Sequence, residues 1–223
     1  LSSFEITTII FSFFWLSVFI IKPQLRKEMF ATGILSLFIL PLSFSVQYNV
    51  PKDTLFSAIN LIELWFTFTF TSLSAVIFHL FFGKHYHRPW REKLKKQHTN
   101  GLWLLKIFTL VTIFIWLTIL FNAFLDIPGV FAILISAIVI TAYIISHRHD
   151  LLADAIFSSL IMGFIVFSVT IFASLFSAPP IKISFVNTAG YFAGIPIELI
   201  IWSLALGLLM GPIYEYSRRL KLK

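Results

Sequence analysis

The amino-acid sequence points to an all-α integral membrane protein: seven transmembrane helices arranged as two parallel three-helix repeats plus a linker helix, a 3+1+3 order. Three observations lead there. The chain is 58% hydrophobic and 12% charged, with a mean hydropathy of +0.92, whereas soluble domains carry about 25% charged residues. Apolar stretches of roughly 20 residues, the length that crosses a bilayer, recur along it. One short element, Ile-Glu-Leu, occurs at Ile62-Glu63-Leu64 and again at Ile197-Glu198-Leu199.

The spans are expected at about 3–22, 28–48, 54–83, 102–123, 127–146, 151–177 and 191–217. The first lacks a preceding basic flank and is too long for a signal-peptide core, so it is expected to stay as a helix. The chain opens at Leu1, which leaves room for an initiator Met or a short leader before it. The third, sixth and seventh exceed the minimum length and are expected to tilt or to project from the bilayer. Between the last two lies the one stretch that reads as a loop, Ser177 to Gly190, where Pro179-Pro180 cannot continue a helix.

Orientation follows from the cations. Fifteen of the seventeen Lys and Arg residues fall on one side, including Lys22, Arg26, Lys27, the run from Lys84 to Lys106, Arg148 and Arg218 to Lys223; Lys52 and Lys182 fall on the other. The excess of positive charge toward the cytoplasm places the N-terminus outside and the C-terminus inside. The net charge of +7 is therefore a matter of topology and of contact with anionic lipid headgroups, and no nucleic-acid partner is expected. There is no cysteine, which excludes disulfides, thiolate metal sites and cysteine nucleophiles.

The repeat has a second marker. Arg26-Lys27-Glu28-Met29-Phe30-Ala31 opens the second span and Arg148-His149-Asp150-Leu151-Leu152-Ala153 the sixth, each one helix ahead of an Ile-Glu-Leu element. Spans one to three and five to seven then form equivalent triplets (residues 1–83 and 127–223), and 84–126 supplies a basic cytoplasmic loop and the linker helix. A triplet holds an odd number of spans, so one extra helix restores its orientation and makes the repeats parallel.

A carboxylate near the bilayer centre costs at least about 2.5 kcal/mol on insertion scales, so Glu63 and Glu198 are the expected catalytic pair. Both are expected seven to ten residues from the outer helix ends, about 10–15 Å deep at 1.5 Å per residue, facing a shared apolar cavity. A carboxylic acid held away from water is a competent general acid. Asn60, Glu63, Thr67, Thr71 and Ser74 recur at three- and four-residue steps and share a helix face, which belongs in the bundle interior, the hydroxyls tying helices together. Pro196 is expected to open or bend the helix just outside Glu198. Trp65 and Trp202 lie close to the two acids, where aromatic faces can stabilise a cation. Asn60, Thr67, Trp65, Pro196 and Trp202 are thus the candidate substrate-binding residues. Ser203, Gly207 and Gly211 form a small-residue stripe suited to close helix packing.

Glu28, Asp150 and Asp154 fall in first turns, where negative charge complements the helix dipole, with Arg26 and Arg148 expected to neutralise them. His85-x-His87 and His147-x-His149-Asp150 have ligand-like spacing, but the chain lacks the histidine-rich boxes of membrane di-iron enzymes. Neither a metal nor a cofactor is expected. Glycine-rich phosphate loops and a GxSxG elbow are absent from the sequence, and the seventh span has no lysine for a retinal Schiff base.

Gly194-Ile195-Pro196-Ile197-Glu198-Leu199, with the repeat order, resembles the membrane lycopene cyclase domain family, whose fused members link two three-helix units through an additional span. That family carries a Pro-x-Glu-Glu element; here Leu199 stands at the second acid, and in the first repeat Leu61 and Leu64 stand at the proline and the second acid. The resemblance implies a redox-neutral isomerisation of a polyene or terpenoid: an acid protonates a terminal double bond, the carbocation closes a ring, and a base removes a proton, with Glu63 and Glu198 as the pair. Fungal membrane-bound terpene cyclases are a second similar group. Two other classes compete. Sugar carriers share the 3+1+3 topology, and Pro23-Gln24 matches their Pro-Gln pair, which would make the acids proton or cation sites in a proton-coupled transporter. A non-catalytic carotenoid- or lipid-binding membrane protein is the third.

Overall fold

A computed structural model describes residues 3–48, 61–83, 86–87, 102–176, 190–192, 195–218 and 221–222. Within them lie seven long helices: α1 (Ser3–Ile21), α2 (Arg26–Tyr48), α3 (Leu61–Phe82), α4 (Leu102–Leu125), α5 (Gly129–His147), α6 (Leu152–Leu175) and α7 (Ile197–Arg218). All but α2 are, over their described residues, long and apolar enough to cross a membrane, and the protein is an integral membrane helical bundle. Two short antiparallel pairings accompany them, Tyr86–His87 with Lys221–Leu222 and Tyr191–Phe192 with Ile195–Pro196.

Contacts at the helix ends set the directions. Glu28 at the start of α2 lies near His79 at the end of α3, and His79 meets Glu215 at the end of α7. Trp103 at the start of α4 packs on Tyr214, and His147 at the end of α5 packs on Tyr216. At the other end Phe4 packs on Phe66, and Phe66 on Trp202. The helices therefore alternate up and down, and Ser3 and Arg218 lie at opposite ends of the bundle. Every described Lys and Arg (Lys22, Arg26, Lys27, Lys106, Arg148, Arg218 and Lys221) falls at the Arg218 end.

Burial inverts the soluble pattern. The two least apolar spans, α3 and α7, are the two most buried, and α4, among the most apolar, is the least buried. Lipid accepts apolar side chains as readily as a core does, so what the interior collects is polar groups and small residues that permit close approach. Phe13, Trp116, Phe124 and Phe164 accordingly point outward. The most extensive packing joins α6 to α7, α2 to α3 and α5 to α7, with α3 against α7 at the centre.

Glycine makes two of these approaches possible. A Cβ on Gly207 would stand 2.8 Å from the Ser158 carbonyl oxygen and from Ser159 Cα, and one on Gly211 would stand 2.8 Å from Ser158 Oγ. The stripe in α7 is indeed a packing surface. The stripe in α3 behaves differently from the expected helix-tying role: Thr67, Thr71 and Ser74 are buried as predicted, yet they donate to the Glu63, Thr67 and Phe70 carbonyls of their own helix. Other hydroxyls join helices. Ser72 donates to the Met29 carbonyl at 2.8 Å, Ser159 to Leu204 at 2.8 Å and Thr141 to Leu208 at 3.2 Å. The last answers a specific need. Pro212 inside α7 has no N–H for the carbonyl four residues back, which is that of Leu208.

Four expectations change. The seventh helix begins at Ile197, after Pro196, so the proline precedes α7 and does not bend it. Its ring is compatible with the extended pairing that leads into the helix, and Ile197 N–H reaches the Gly190 carbonyl at 3.1 Å. Arg26 does not neutralise Glu28; it donates to the Phe19 and Ile20 carbonyls at the end of α1 and lies over the Phe19 ring. Arg148 pairs with exposed Asp150. The two motifs at the basic end align in a different register as well: a 3-10 turn, Pro23–Leu25 or His149–Leu151, precedes each helix and buries Leu25 or Leu151. Counted from these turns, Glu28 corresponds to Asp154. The loop at 177–189, most of 84–101, Asn60 and the start of the predicted third span lie outside the described residues.

Candidate functional site

Glu63 and Glu198 are both buried, at 3% and 7% exposure, each in the first turn of its helix. These helices touch, and an aromatic seam joins them. Trp202 lies 4.8 Å from Phe70 and 6.3 Å from Phe66 between ring centroids, and Phe11 closes on both phenylalanines. Glu198 is the second residue of α7, nearer its helix end than the expected seven to ten residues, because Pro196 starts the helix late. Carboxylates in first turns face the positive end of the helix dipole, which favours this placement over a mid-helix one.

The other candidates separate. Thr67 is buried and bonded to the Glu63 carbonyl at 2.8 Å. Pro196 and Trp202 are buried. Trp65 instead faces outward, its indole N–H donating to Ser12 Oγ of α1 at 2.7 Å. It lines an apolar groove of about 780 Å³ between α1, α2 and α3, together with Glu5, Leu61, Ile62, Leu64 and Phe68. Glu63 sits on the inner side of the same helical turn. Neither Glu63 nor Glu198 lines this groove, or a second of about 440 Å³ between α4, α5 and the end of α7.

At the basic end the structure gathers a second set of ionisable groups. Glu28 of α2, His79 of α3, Asp154 of α6 and Glu215 of α7 are each at most 3% exposed. His79 Nε2 is 2.8 Å from Glu215 Oε1 and 4.0 Å from Glu28 Oε1. Asp154 Oδ1 accepts from Ser158 Oγ at 3.0 Å. Of the histidines with ligand-like spacing, His147 and His149 are exposed, His147 bonding its own helix through Tyr143, and the side chains of His85 and His87 lie outside the described residues.

Sequence reasoning missed Glu215 and set His79 aside as one histidine among six. A signal existed. His79 follows Glu63 by sixteen residues and Glu215 follows Glu198 by seventeen, so both helices with an Ile-Glu-Leu element carry an ionisable group near each end. No family model matches the chain, and neither curated proteins nor solved structures provide a match.

Proposed function

We propose that the protein is a membrane-embedded isomerase that cyclises the end group of a polyene or terpenoid, as the resemblance to lycopene cyclases implies, with Glu63 and Glu198 as its acid–base pair. The observation that carries the reading is the pair of buried glutamates in the first turns of two helices that touch, α3 and α7, while the outward-facing residues beside Glu63 wall a roomy apolar groove. Such a groove suits a hydrophobic substrate entering from lipid. One carboxylic acid delivers a proton to a terminal double bond. The resulting carbocation is attacked by an internal double bond, closing the ring, and the other carboxylate takes up the proton released, so atoms and electrons balance without a redox partner. Phe66, Phe70 and Trp202 form an aromatic seam one to two turns further along the two helices from the acids, and aromatic faces of this kind can stabilise developing positive charge.

We further read the chain as 3+1+3. In support, α2 packs on α3 as α6 packs on α7, α1 on α3 as α5 on α7, and α3 on α7 across the centre. The matching 3-10 turns before α2 and α6 agree with that pairing. The basic end is assigned to the cytoplasm, with the N-terminus outside.

Expression in cells that accumulate lycopene tests the function. Conversion of the red acyclic pigment to a cyclic product is expected, with loss of conversion in Glu198→Gln and in Glu63→Gln. Unchanged pigment with wild-type protein rejects carotene cyclisation. Proton-coupled uptake by liposomes, abolished by Glu63→Gln, would assign the acids to a transporter instead.

A further inference from the structure

From the buried set at the basic end we infer a binding site for a divalent first-row transition cation, formed by Glu28, His79, Asp154 and Glu215. One donor comes from each of four helices, two in the first half of the chain and two in the second. Each is the third or fourth residue from its helix end, about 3–5 Å from that end at 1.5 Å per residue.

Two independent features point to a cation. The first is geometric: one ligand atom each from Glu28, His79 and Glu215 lie within 4.8 Å of one another, and donors bound to one ion at about 2.0–2.2 Å come within roughly 4.4 Å of each other. Small side-chain rotations close that difference, with the His79–Glu215 hydrogen bond opening as both turn to the ion. The second is Asp154. Its side chain is fully buried, one oxygen is held by Ser158, and Oδ2 has no hydrogen-bond partner among the described residues. It lies within electrostatic reach of Glu215 and Glu28, where like charges repel. Three carboxyl groups sharing one dry space either keep protons or are met by positive charge, and a protonated His79 supplies one unit where a divalent ion supplies two.

The donor set narrows the ion. Carboxylates with one imidazole and no thiolate favour zinc, manganese or iron(II) over soft copper(I), and the imidazole argues against magnesium and calcium. Bound there, the ion would clasp α2 and α3 to α6 and α7. Gly211 contributes by its lack of a side chain, since a Cβ would stand 3.2 Å from Asp154 Oδ1.

The test uses full-length protein purified in detergent without chelator or metal-affinity steps. Elemental analysis should find about one zinc, manganese or iron per chain. Removal with EDTA should lower the melting temperature, and added Zn²⁺ should restore it. Mn²⁺ added to stripped protein should lose its free-ion EPR signal up to one equivalent. Asp154→Asn and Glu28→Gln should each weaken binding by about tenfold or more, while Asp150→Asn, on the exposed acid nearby, should leave it unchanged. Wild-type protein with negligible metal, no response to EDTA and an undiminished Mn²⁺ signal would overturn the site and leave a hydrogen-bonded acid–imidazole network. Those wild-type measurements decide the matter even where a variant fails to fold, and they are independent of the pigment assay.

Discussion

Replacing Thr141 by Val tests how α5 and α7 are held together. The substitution keeps shape and volume but removes the hydroxyl that donates to the Leu208 carbonyl at 3.2 Å. Because Pro212 stands four residues on, the backbone N–H that would ordinarily serve this carbonyl is missing, and a carbonyl in a water-poor setting loses its donor. Hydrogen bonds between membrane helices average about 0.6 kcal/mol, and a buried acceptor left unsatisfied costs about 1–3 kcal/mol. Thr141→Val should therefore destabilise the protein by about 1–2 kcal/mol. In a Pro212→Ala background the backbone N–H gained at that position is free to reach the Leu208 carbonyl, and the cost should fall to roughly a few tenths of a kcal/mol. Unfolding in mixed micelles by rising SDS fraction, followed by circular dichroism, gives all four corners of the cycle. Equal costs in the two backgrounds would refute the assignment of Thr141 as the substitute donor.

The α6–α7 seam gives a ranking. Gly207→Ala meets backbone at 2.8 Å and should cost about 1–3 kcal/mol, whereas Gly163→Ala meets the end of the Leu204 side chain at 2.6 Å, which can rotate, and should cost about half as much or less; the same SDS titration reads both, and the reverse order would contradict the packing. Arg148→Ala removes an ion pair with exposed Asp150 and should change stability by under about 1 kcal/mol, an effect that shrinks further as salt is raised.

The helices were legible in the sequence because lipid imposes length and composition directly on each span, and α4 and α5 appear within a few residues of their expected limits. The likeness between the segments that open α2 and α6 was read in the wrong register at the basic end. Arg26 and Arg148 look equivalent as letters; one ends up capping α1 and the other pairing with Asp150. The Trp65 indole, close in sequence to Glu63, was expected beside the acid, yet the turn of about 100° per residue in a helix places the two on opposite sides.

From its letters alone the chain declared a membrane bundle, two buried glutamates and a small-residue packing face, since hydropathy and spacing are properties of single segments. Only the folded chain decided that Glu28, His79, Asp154 and Glu215 share one dry space. They are spread over 187 positions, from 28 to 215, and on each helix alone they read as ordinary end-of-helix charges. Their meeting depends on the ends of four helices converging, and that is set by side-to-side packing, which no local pattern encodes.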